Sequence, residues 1–252
     1  MPKFGQDDTL EQHRVGNFGF SAVAMGDLDG AAGYTLATLV CDRSGSTSGF
    51  QQPMEDALKA SVEALRKHPN ADTIMMRVVT VADACKEEHG FVPLPDVEVS
   101  RYDGMLAPQG MTSLFDGLVN AAEALAAYGQ ILRHDRYRVN GILICITDGL
   151  NNAGKFRHDG DVVYVKDAFT KPLGAESLES LATILIAVNV TDRAVSAAMK
   201  KLHTDAGFTV PMIELQDAKP DTIAKIGQFI SASVSSTSQA LGTGAPSQSV
   251  TF

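Results

Sequence analysis

Three short segments of the 252-residue chain are rich in side chains that end in oxygen. An Asp-x-Ser-x-Ser run occupies 42–46, Gly-Met-Thr-Ser occupies 110–113, and Thr-Asp-Gly occupies 147–149. Carboxylate and hydroxyl oxygens are hard donors, which suit Mg²⁺, Mn²⁺ or Ca²⁺ better than Zn²⁺ or copper. If the segments meet in the fold, they predict a site for one divalent cation. The candidate metal ligands are Asp42, Ser44, Ser46, Thr112 and Asp148.

The segments follow or precede elements that would bring them together. The run 34–41 is almost continuously apolar or β-branched and stops at Asp42, and the apolar run 142–146 ends just before the 147–149 turn. Such runs are typical of strands that are buried on both faces of a parallel sheet. The 110–113 segment leads into a helix predicted over 113–128. Because ligands of parallel sheets bind beyond the carboxyl ends of the strands, we expect one shared site there.

The hydrophobic pattern of the remaining chain alternates between strands and helices. This alternation predicts an α/β fold, with a doubly wound, mostly parallel, Rossmann-like sheet and helices on both faces. The predicted strands are 34–41, 73–81, 142–146, 184–190 and 208–215, with a short edge strand within 84–108, where Val97 and Val99 alternate. The predicted helices are 53–67, 113–128 and segments near 195–202 and 223–234.

The chain divides into one domain and two flanking segments. The domain spans 34–235. Residues 1–33 form an N-terminal extension in which alternating residues over 18–24 predict one short strand at the sheet edge, followed by a turn at 26–30. Residues 236–252 are rich in Ser, Thr and Gly, and are predicted to be a flexible tail. The charged segment 150–176 is interpreted as a long loop, which either shapes partner choice beside the metal or is a solvated loop without that role.

The donor set indicates a docking function. Two of the five candidate ligands are charged and three are neutral hydroxyls, so a bound cation keeps affinity for a further anionic ligand. An Asp or Glu of a partner protein would complete the coordination shell through a charge-assisted bond. The sequence therefore predicts a metal-bridged interaction module that binds an acidic side chain.

The three segments, in this order and each at the end of a predicted element, resemble the metal-ion-dependent adhesion site of von Willebrand factor A domains. The resemblance covers about 34–235, and Asp42, Ser44, Ser46, Thr112 and Asp148 match the family's complete ligand pattern. It implies a sheet with one antiparallel edge strand, a bound Mg²⁺ (or Mn²⁺ or Ca²⁺) and a protein partner. It also suggests the bacterial or intracellular type of domain, with an AAA-type ATPase or a neighbouring assembly subunit as the partner.

Other interpretations remain open. The same site could clamp neighbouring subunits of a particle or surface assembly, and Ser, Thr and Asp after strands are also common helix caps. Asp116 is interpreted as complementing the positive end of its helix, and the alternative is an acceptor that supports the metal ligands from behind. A metal-dependent phosphohydrolase is the enzymatic alternative, but Ser44 stands where aspartate-based phosphatases have a second Asp. No phosphate-binding loop or nucleophile turn is present, so we expect the protein not to be an enzyme.

Composition narrows the class of partner. The formal net charge is −9, which argues against nucleic acid and anionic membranes because both need a basic footprint. No apolar run reaches the length of a membrane span, and the N-terminus shows no apolar signal region. Three cysteines are few and odd in number. Reduced thiols suit a cytoplasmic location, which is the prediction.

Overall fold

The computed structural model describes residues 10–16, 18–24 and 32–243. These residues form strands and helices in alternation, as the sequence predicts. The strands are β1 (Leu10–Val15), β2 (Phe18–Val23), β3 (Gly33–Asp42), β4 (Ile74–Val81), β5 (Cys85–Pro93), β6 (Arg138–Thr147), β7 (Ser180–Ala187) and β8 (Ile213–Glu214). The helices are α1 (Gln51–Leu65), α2 (Leu114–His134), α3 (Val162–Gly174), α4 (Arg193–Ala206) and α5 (Pro220–Thr243).

The strands form one eight-stranded sheet in the order β1-β2-β5-β4-β3-β6-β7-β8. The central strand β3 is buried along its whole length and pairs in parallel with β4 and β6. In the register between β3 and β6, Cys41 lies opposite Ile146. The two strands therefore end side by side, which places Asp42 next to Thr147. The predicted α/β fold with a mostly parallel sheet is confirmed.

Helices cover both faces of this sheet. One buried cluster joins the inner faces of α1 and α5 to the sheet, and it includes Leu58 and Ile230. The cluster on the opposite face joins α2, α3 and α4, and it includes Leu118 and Phe169. Within the described part of the chain, no helix is both long and apolar enough to cross a bilayer.

The segment 84–108 contains a strand as predicted, but this strand is β5, which precedes Val97 and Val99 and runs antiparallel to β4. Val97 follows one short 3₁₀ turn, and Val99 begins another. The sequence hides β5 because it carries charged residues, two of which have partners on β4. Glu87 accepts a hydrogen bond from Arg77 Nε at 2.6 Å, and Glu88 accepts one from Thr80 Oγ1 at 2.6 Å.

The N-terminal extension contributes two strands instead of the one predicted. β1 and β2 form an antiparallel hairpin, and β2 pairs with β5 where Ala22 lies opposite Phe91. Ser21 fixes this contact, because its backbone N and its Oγ both donate to Glu87 Oε1, at 2.9 and 2.6 Å. The extension lies at the edge of the sheet as predicted, but the outermost strand is β1, so that β2 and β5 are inner strands. The turn predicted at 26–30 lies outside the described residues.

The segment 150–176 is not one long loop, because its second half is α3. Val165 and Phe169 lie one turn apart on the buried side of α3, and Phe169 meets Phe208 edge to face at 5.1 Å between ring centroids. Pro172 and the surrounding charges mask this helix in the sequence. Proline has no N–H to continue the helical hydrogen bonds, and α3 ends two residues after Pro172, at Gly174.

Two predicted boundaries near the C-terminus are also wrong. The last strand is shorter than 208–215 and comprises the two residues of β8. α5 continues to Thr243, well into the predicted tail. Thr237 is buried in this extension, where its Oγ1 donates to Ser233 O at 3.0 Å and its carbonyl accepts from Asn140 Nδ2 at 3.4 Å. A Ser or Thr hydroxyl in a helix can donate to a carbonyl of the preceding turn. Such residues can therefore be buried in a helix, although their polar composition predicts an exposed tail.

Candidate metal centre

The first two candidate ligands are fixed by the turn that follows β3. Asp42 Oδ1 accepts a hydrogen bond from Ser44 N at 2.8 Å, and Asp42 Oδ2 accepts one from Thr147 Oγ1 at 2.6 Å. Both residues are almost fully buried, with exposed fractions of 6% for Asp42 and 2% for Ser44. Ser44 precedes the 3₁₀ turn Gly45–Thr47 without capping it through its side chain. The helix-cap interpretation therefore fails for Ser44, whose hydroxyl is directed elsewhere.

A chain of hydroxyl contacts connects β3 to the segment after β6. Ser44 Oγ lies 3.1 Å from Ser46 Oγ, and Ser46 Oγ donates to Asp148 Oδ1 at 2.8 Å. Four of the five candidate ligands therefore form one connected group of oxygens at the carboxyl end of the sheet. The sequence did not assign a role to Thr147, whose hydroxyl links Asp42 to the turn at 147–149.

The loop that carries Thr112 reaches the same place. Its path is set by backbone hydrogen bonds from Gly45 N to Gly110 O at 3.1 Å and from Gln109 N to Arg43 O at 2.9 Å. Thr112 itself is 2% exposed. A Cβ placed on Gly149 would lie 3.7 Å from Ser46 Oγ and 4.0 Å from Thr112 Oγ1. The hydroxyl of Thr112 thus faces the group formed by the other four ligands, and the structure brings all five together.

The arrangement fits a small, hard cation. The donors are two carboxylates and three hydroxyls, and glycine at 149 keeps the space between Ser46 and Thr112 free of a side chain. The described residues contain no cluster of three or more His, Cys, Asp or Glu side chains that could hold a metal. A cation at this position would therefore depend on the hydroxyl oxygens as well as the two carboxylates. Such an all-oxygen set is the kind that Mg²⁺ and Mn²⁺ prefer.

The electrostatics of the two carboxylates favour an added positive charge. Burial raises the pKa of Asp42, although hydrogen bonds from Thr147 and Ser44 oppose the shift. Burial also raises the pKa of Asp148 to about 6, opposed by the hydrogen bond from Ser46 and reinforced by the charge of Asp42. Two partly desolvated carboxylates that repel each other are stabilised in their ionised form by a divalent cation.

The segment after Asp148 is attached to the Thr112 loop by hydrogen bonds that the sequence did not predict. Asn152 Oδ1 accepts from Thr112 N at 2.7 Å, and Asn152 N donates to Thr112 O at 2.9 Å. Asn151 Oδ1 accepts from Phe115 N at 3.0 Å. Because these bonds join the segments that carry Thr112 and Asp148, the two ligands belong to one rigid unit. The signal in the sequence was the adjacent pair of Asn side chains, whose partners only the fold reveals.

Asp116 on α2 also binds the segment that follows Asp148. The carboxylate is 7% exposed and accepts hydrogen bonds from Lys155 N and Phe156 N, each at 2.9 Å. Asp116 lies in the first turn of α2, where its charge complements the helix N-terminus as predicted, and its hydrogen bonds go to the segment after Asp148. Gly154 makes this approach possible, because a Cβ there would lie 2.7 Å from the Asp116 carboxyl carbon.

Two further carboxylates position the loop that leads to Thr112. Glu55 on α1 is 1% exposed and accepts hydrogen bonds from Gly104 N at 2.9 Å and Leu106 N at 2.8 Å. Asp83 accepts one from Met111 N at 2.8 Å. Charged acceptors of this kind make strong hydrogen bonds. They hold the loop in place without adding ligands to the site.

Solved structures share this fold. They include a von Willebrand factor type A protein from Catenulispora acidiphila, 13% identical, with a TM-score of 0.58 over 81% of this chain and 43% of that chain. The PilB minor pilin from Streptococcus sanguinis is 11% identical, with a TM-score of 0.61 over 87% of this chain and 65% of that one. Proximal thread matrix protein 1 from the mussel byssus, with a zinc-occupied metal-ion-dependent adhesion site (MIDAS) motif, is 20% identical. Its TM-score is 0.53 over 83% of this chain and 46% of that chain.

These likenesses establish the fold, which is that of a von Willebrand factor A domain. The chain spans less than two thirds of the length of each of these three structures. No protein-family model matches the sequence, and no curated protein matches it.

Proposed function

We propose that the protein is a divalent-cation-dependent interaction module that binds an Asp or Glu side chain of a partner protein. The observation that carries this proposal is the convergence of Asp42, Ser44, Ser46, Thr112 and Asp148 at one end of the sheet. When bound, the cation would supply a Lewis-acidic position for the partner's carboxylate. Ser46 and Gly149 lie on the exposed or half-exposed side of the group, which leaves a path for that carboxylate.

The residues of the chain divide the work between binding and orientation. Asp42 and Asp148 provide the negative charge that holds the cation, and the Thr147 hydroxyl keeps Asp42 oriented through its 2.6 Å hydrogen bond. The three hydroxyl ligands add oxygen without cancelling more charge, so the cation stays attractive to an anionic group. Mg²⁺ is the proposed ion, with Mn²⁺ and Ca²⁺ as alternatives that share its preference for oxygen.

The partner is proposed to be a protein with an exposed acidic residue, such as an AAA-type ATPase or a neighbouring subunit of an assembly. The second possibility is favoured by likeness to a pilus subunit and to a byssus matrix protein. Cys41, Cys85 and Cys145 are free thiols, and this supports the proposed location in the cytoplasm.

Titration calorimetry with MgCl₂ and MnCl₂ tests the metal site directly. Capture of partners on the immobilised protein in Mg²⁺ or in EDTA then tests the function. We expect a partner that elutes with EDTA and is absent when Asp148→Ala is immobilised. Asp167→Ala is the control, because Asp167 is exposed on α3 and is not one of the five candidate ligands. Partner binding that is unchanged both by EDTA and by Asp148→Ala would contradict the proposal.

We also propose that the protein is not an enzyme. Hydrolysis of p-nitrophenyl phosphate in the presence of Mg²⁺ provides the check on the phosphohydrolase alternative. We expect no turnover above that of the Asp42→Ala variant. Turnover in the wild type that disappears in Asp42→Ala would establish the enzymatic alternative instead.

A further inference from the structure

Exposed apolar side chains border the candidate metal centre. Among the described residues, the large hydrophobic side chains with high exposure include Met111 at 54% and Leu150 at 38%. Met111 precedes the ligand Thr112, and Leu150 follows Gly149, whose Cβ position is 3.7 Å from Ser46 Oγ. Single exposed hydrophobic residues are ordinary, but two that adjoin ligands of the same site form an apolar border around it.

A groove begins at Leu150 and runs between α3 and α4. Its volume is about 180 Å³. The apolar part of its lining consists of Phe115, Leu150, Val162, Ala198 and Leu202. A space of this size is too small for a drug-sized ligand, which occupies roughly 300 Å³ or more. It suits one apolar side chain of a bound peptide segment.

The charges that line the groove select against an acidic group. Asp159 and Asp205 both line it, while Lys201 is the cation among the lining residues and is already in contact with Asp205. The local balance is therefore negative. A carboxylate of the partner is repelled from the groove and attracted to the cation of the metal centre, whereas a neutral apolar side chain is not repelled and can contact the apolar part of the lining.

We infer that the partner segment is recognised at two adjoining positions, and this inference rests on the proposed function. An Asp or Glu binds at the metal centre, and a bulky aliphatic or aromatic residue a few positions away occupies the groove beside Leu150. The continuity of Gly149 and Leu150 along the chain places the two positions side by side. The metal centre provides the charge selectivity, and the groove provides the selectivity for sequence.

Fluorescein-labelled heptapeptide amides, built from Gly and Ser around a central Asp, test the inference by fluorescence anisotropy. In one series, each peptide carries a single Leu, placed at each of the other six positions in turn. In the matched series, Ser stands in place of that Leu. In MgCl₂ we expect Leu at one position, or at two neighbouring positions, to tighten binding about tenfold or more over Ser. All binding is expected to disappear in EDTA.

Variants of the protein locate the effect. Leu150→Ser removes part of the lining and Ala198→Gln fills the groove, so each should lower the ratio of affinities for the Leu and Ser peptides toward one. Leu173→Ser is the matched control, because Leu173 is 44% exposed at the other end of α3. It should leave the ratio unchanged, and thermal unfolding shows that each variant is folded.

The outcomes separate the inference from the proposed function. If Asp peptides bind in Mg²⁺ and Leu gives no gain at any position, the inference is overturned and the metal-dependent function stands. A Leu gain that persists in EDTA overturns the coupling between groove and metal. Absence of metal-dependent binding by every peptide overturns the proposed function and the inference with it.

Discussion

Ser46 Oγ donates a hydrogen bond of 2.8 Å to Asp148 Oδ1, although the two residues are 102 positions apart in the chain. The bond joins the turn after β3 to the turn after β6, which are the two places where candidate ligands leave the sheet. The bond also partly offsets the unfavourable burial of the Asp148 carboxylate, because the Ser46 hydroxyl donates to it. Cation binding would replace this partial compensation with a full opposite charge.

The first prediction concerns thermal stability. At a free ion concentration about a hundredfold above the dissociation constant, Mg²⁺ should stabilise the fold by about 2.7 kcal/mol, which raises Tm by roughly 5–10 °C. Asp148→Asn should abolish this shift. The same variant should be more stable than the wild type without metal, because it removes a buried charge that Asp42 repels.

Differential scanning calorimetry in EDTA and in MgCl₂ measures both effects. Asp167→Asn makes the same chemical change at an exposed position of α3 and should preserve the wild-type shift. A Tm that no divalent ion changes would show that the oxygen group does not bind metal.

The second prediction concerns Gly149. In Gly149→Ala the new Cβ lies at ordinary contact distances of 3.7 and 4.0 Å from the hydroxyls of Ser46 and Thr112. The variant should therefore fold normally, but its methyl group occupies space beside the ligands. We expect metal affinity to fall by about tenfold or more.

Calorimetric titration with MnCl₂ provides the measurement. Gly160→Ala is the control, since no atom lies within 4 Å of a Cβ at that position. Equal affinities in Gly149→Ala and the wild type would place the cation away from the space that Gly149 keeps open.

The third prediction concerns Asp116. Asp116→Ala leaves the backbone N–H groups of Lys155 and Phe156 without their acceptor, and the loss should lower the free energy of unfolding by about 1–3 kcal/mol. Asp116→Asn keeps one carbonyl oxygen and should lose less. Urea unfolding measures the difference, with Asp167→Ala as the exposed control. An unchanged midpoint in Asp116→Ala would show that the two bonds do not hold the segment.

The fourth prediction concerns pH and His89. The ring is buried, its Nδ1 lies 2.9 Å from Gly90 O, and its Nε2 lies 3.0 Å from the Tyr102 hydroxyl. Burial lowers the pKa of His89 from 6.5 to about 4. The unfolded chain therefore binds the proton first as the pH falls, and His89 favours unfolding progressively between pH 6.5 and about 4.

Urea unfolding at a series of pH values tests this linkage. Above pH 6.5 the residue makes no pH-dependent contribution, because it is neutral in both states. His89→Gln should lose less stability over the interval than the wild type does. Parallel profiles for the two proteins would contradict the prediction.

The sequence predicted the position of the site better than its surroundings. Asp42 and Asp148 follow buried apolar runs, and a parallel sheet brings the ends of such runs together whatever the loops do. Thr112 was predictable for a similar reason, since it precedes a strongly patterned helix. These predictions depend on hydrophobic periodicity, which a single sequence contains.

Contacts between loops were not predictable in the same way. Asp116 binds backbone groups 39 and 40 residues away, and no local pattern specifies that distance. The bounds of β5 and the end of α5 were not predicted, because polar residues in them have partners that only the fold supplies, such as Arg77 for Glu87. A polar segment of the sequence predicts an exposed segment of the structure only when its side chains find no hydrogen-bond or ion-pair partners in the fold.

The separation of the ligands along the chain has a kinetic consequence. Asp42 and Thr147 are 105 positions apart in the chain, and the site is complete only when the strands that carry them have paired. Closing so long a segment costs chain entropy before the site is complete. A cation that binds only the finished site would therefore lengthen the lifetime of the native state, with little effect on the rate at which that state forms.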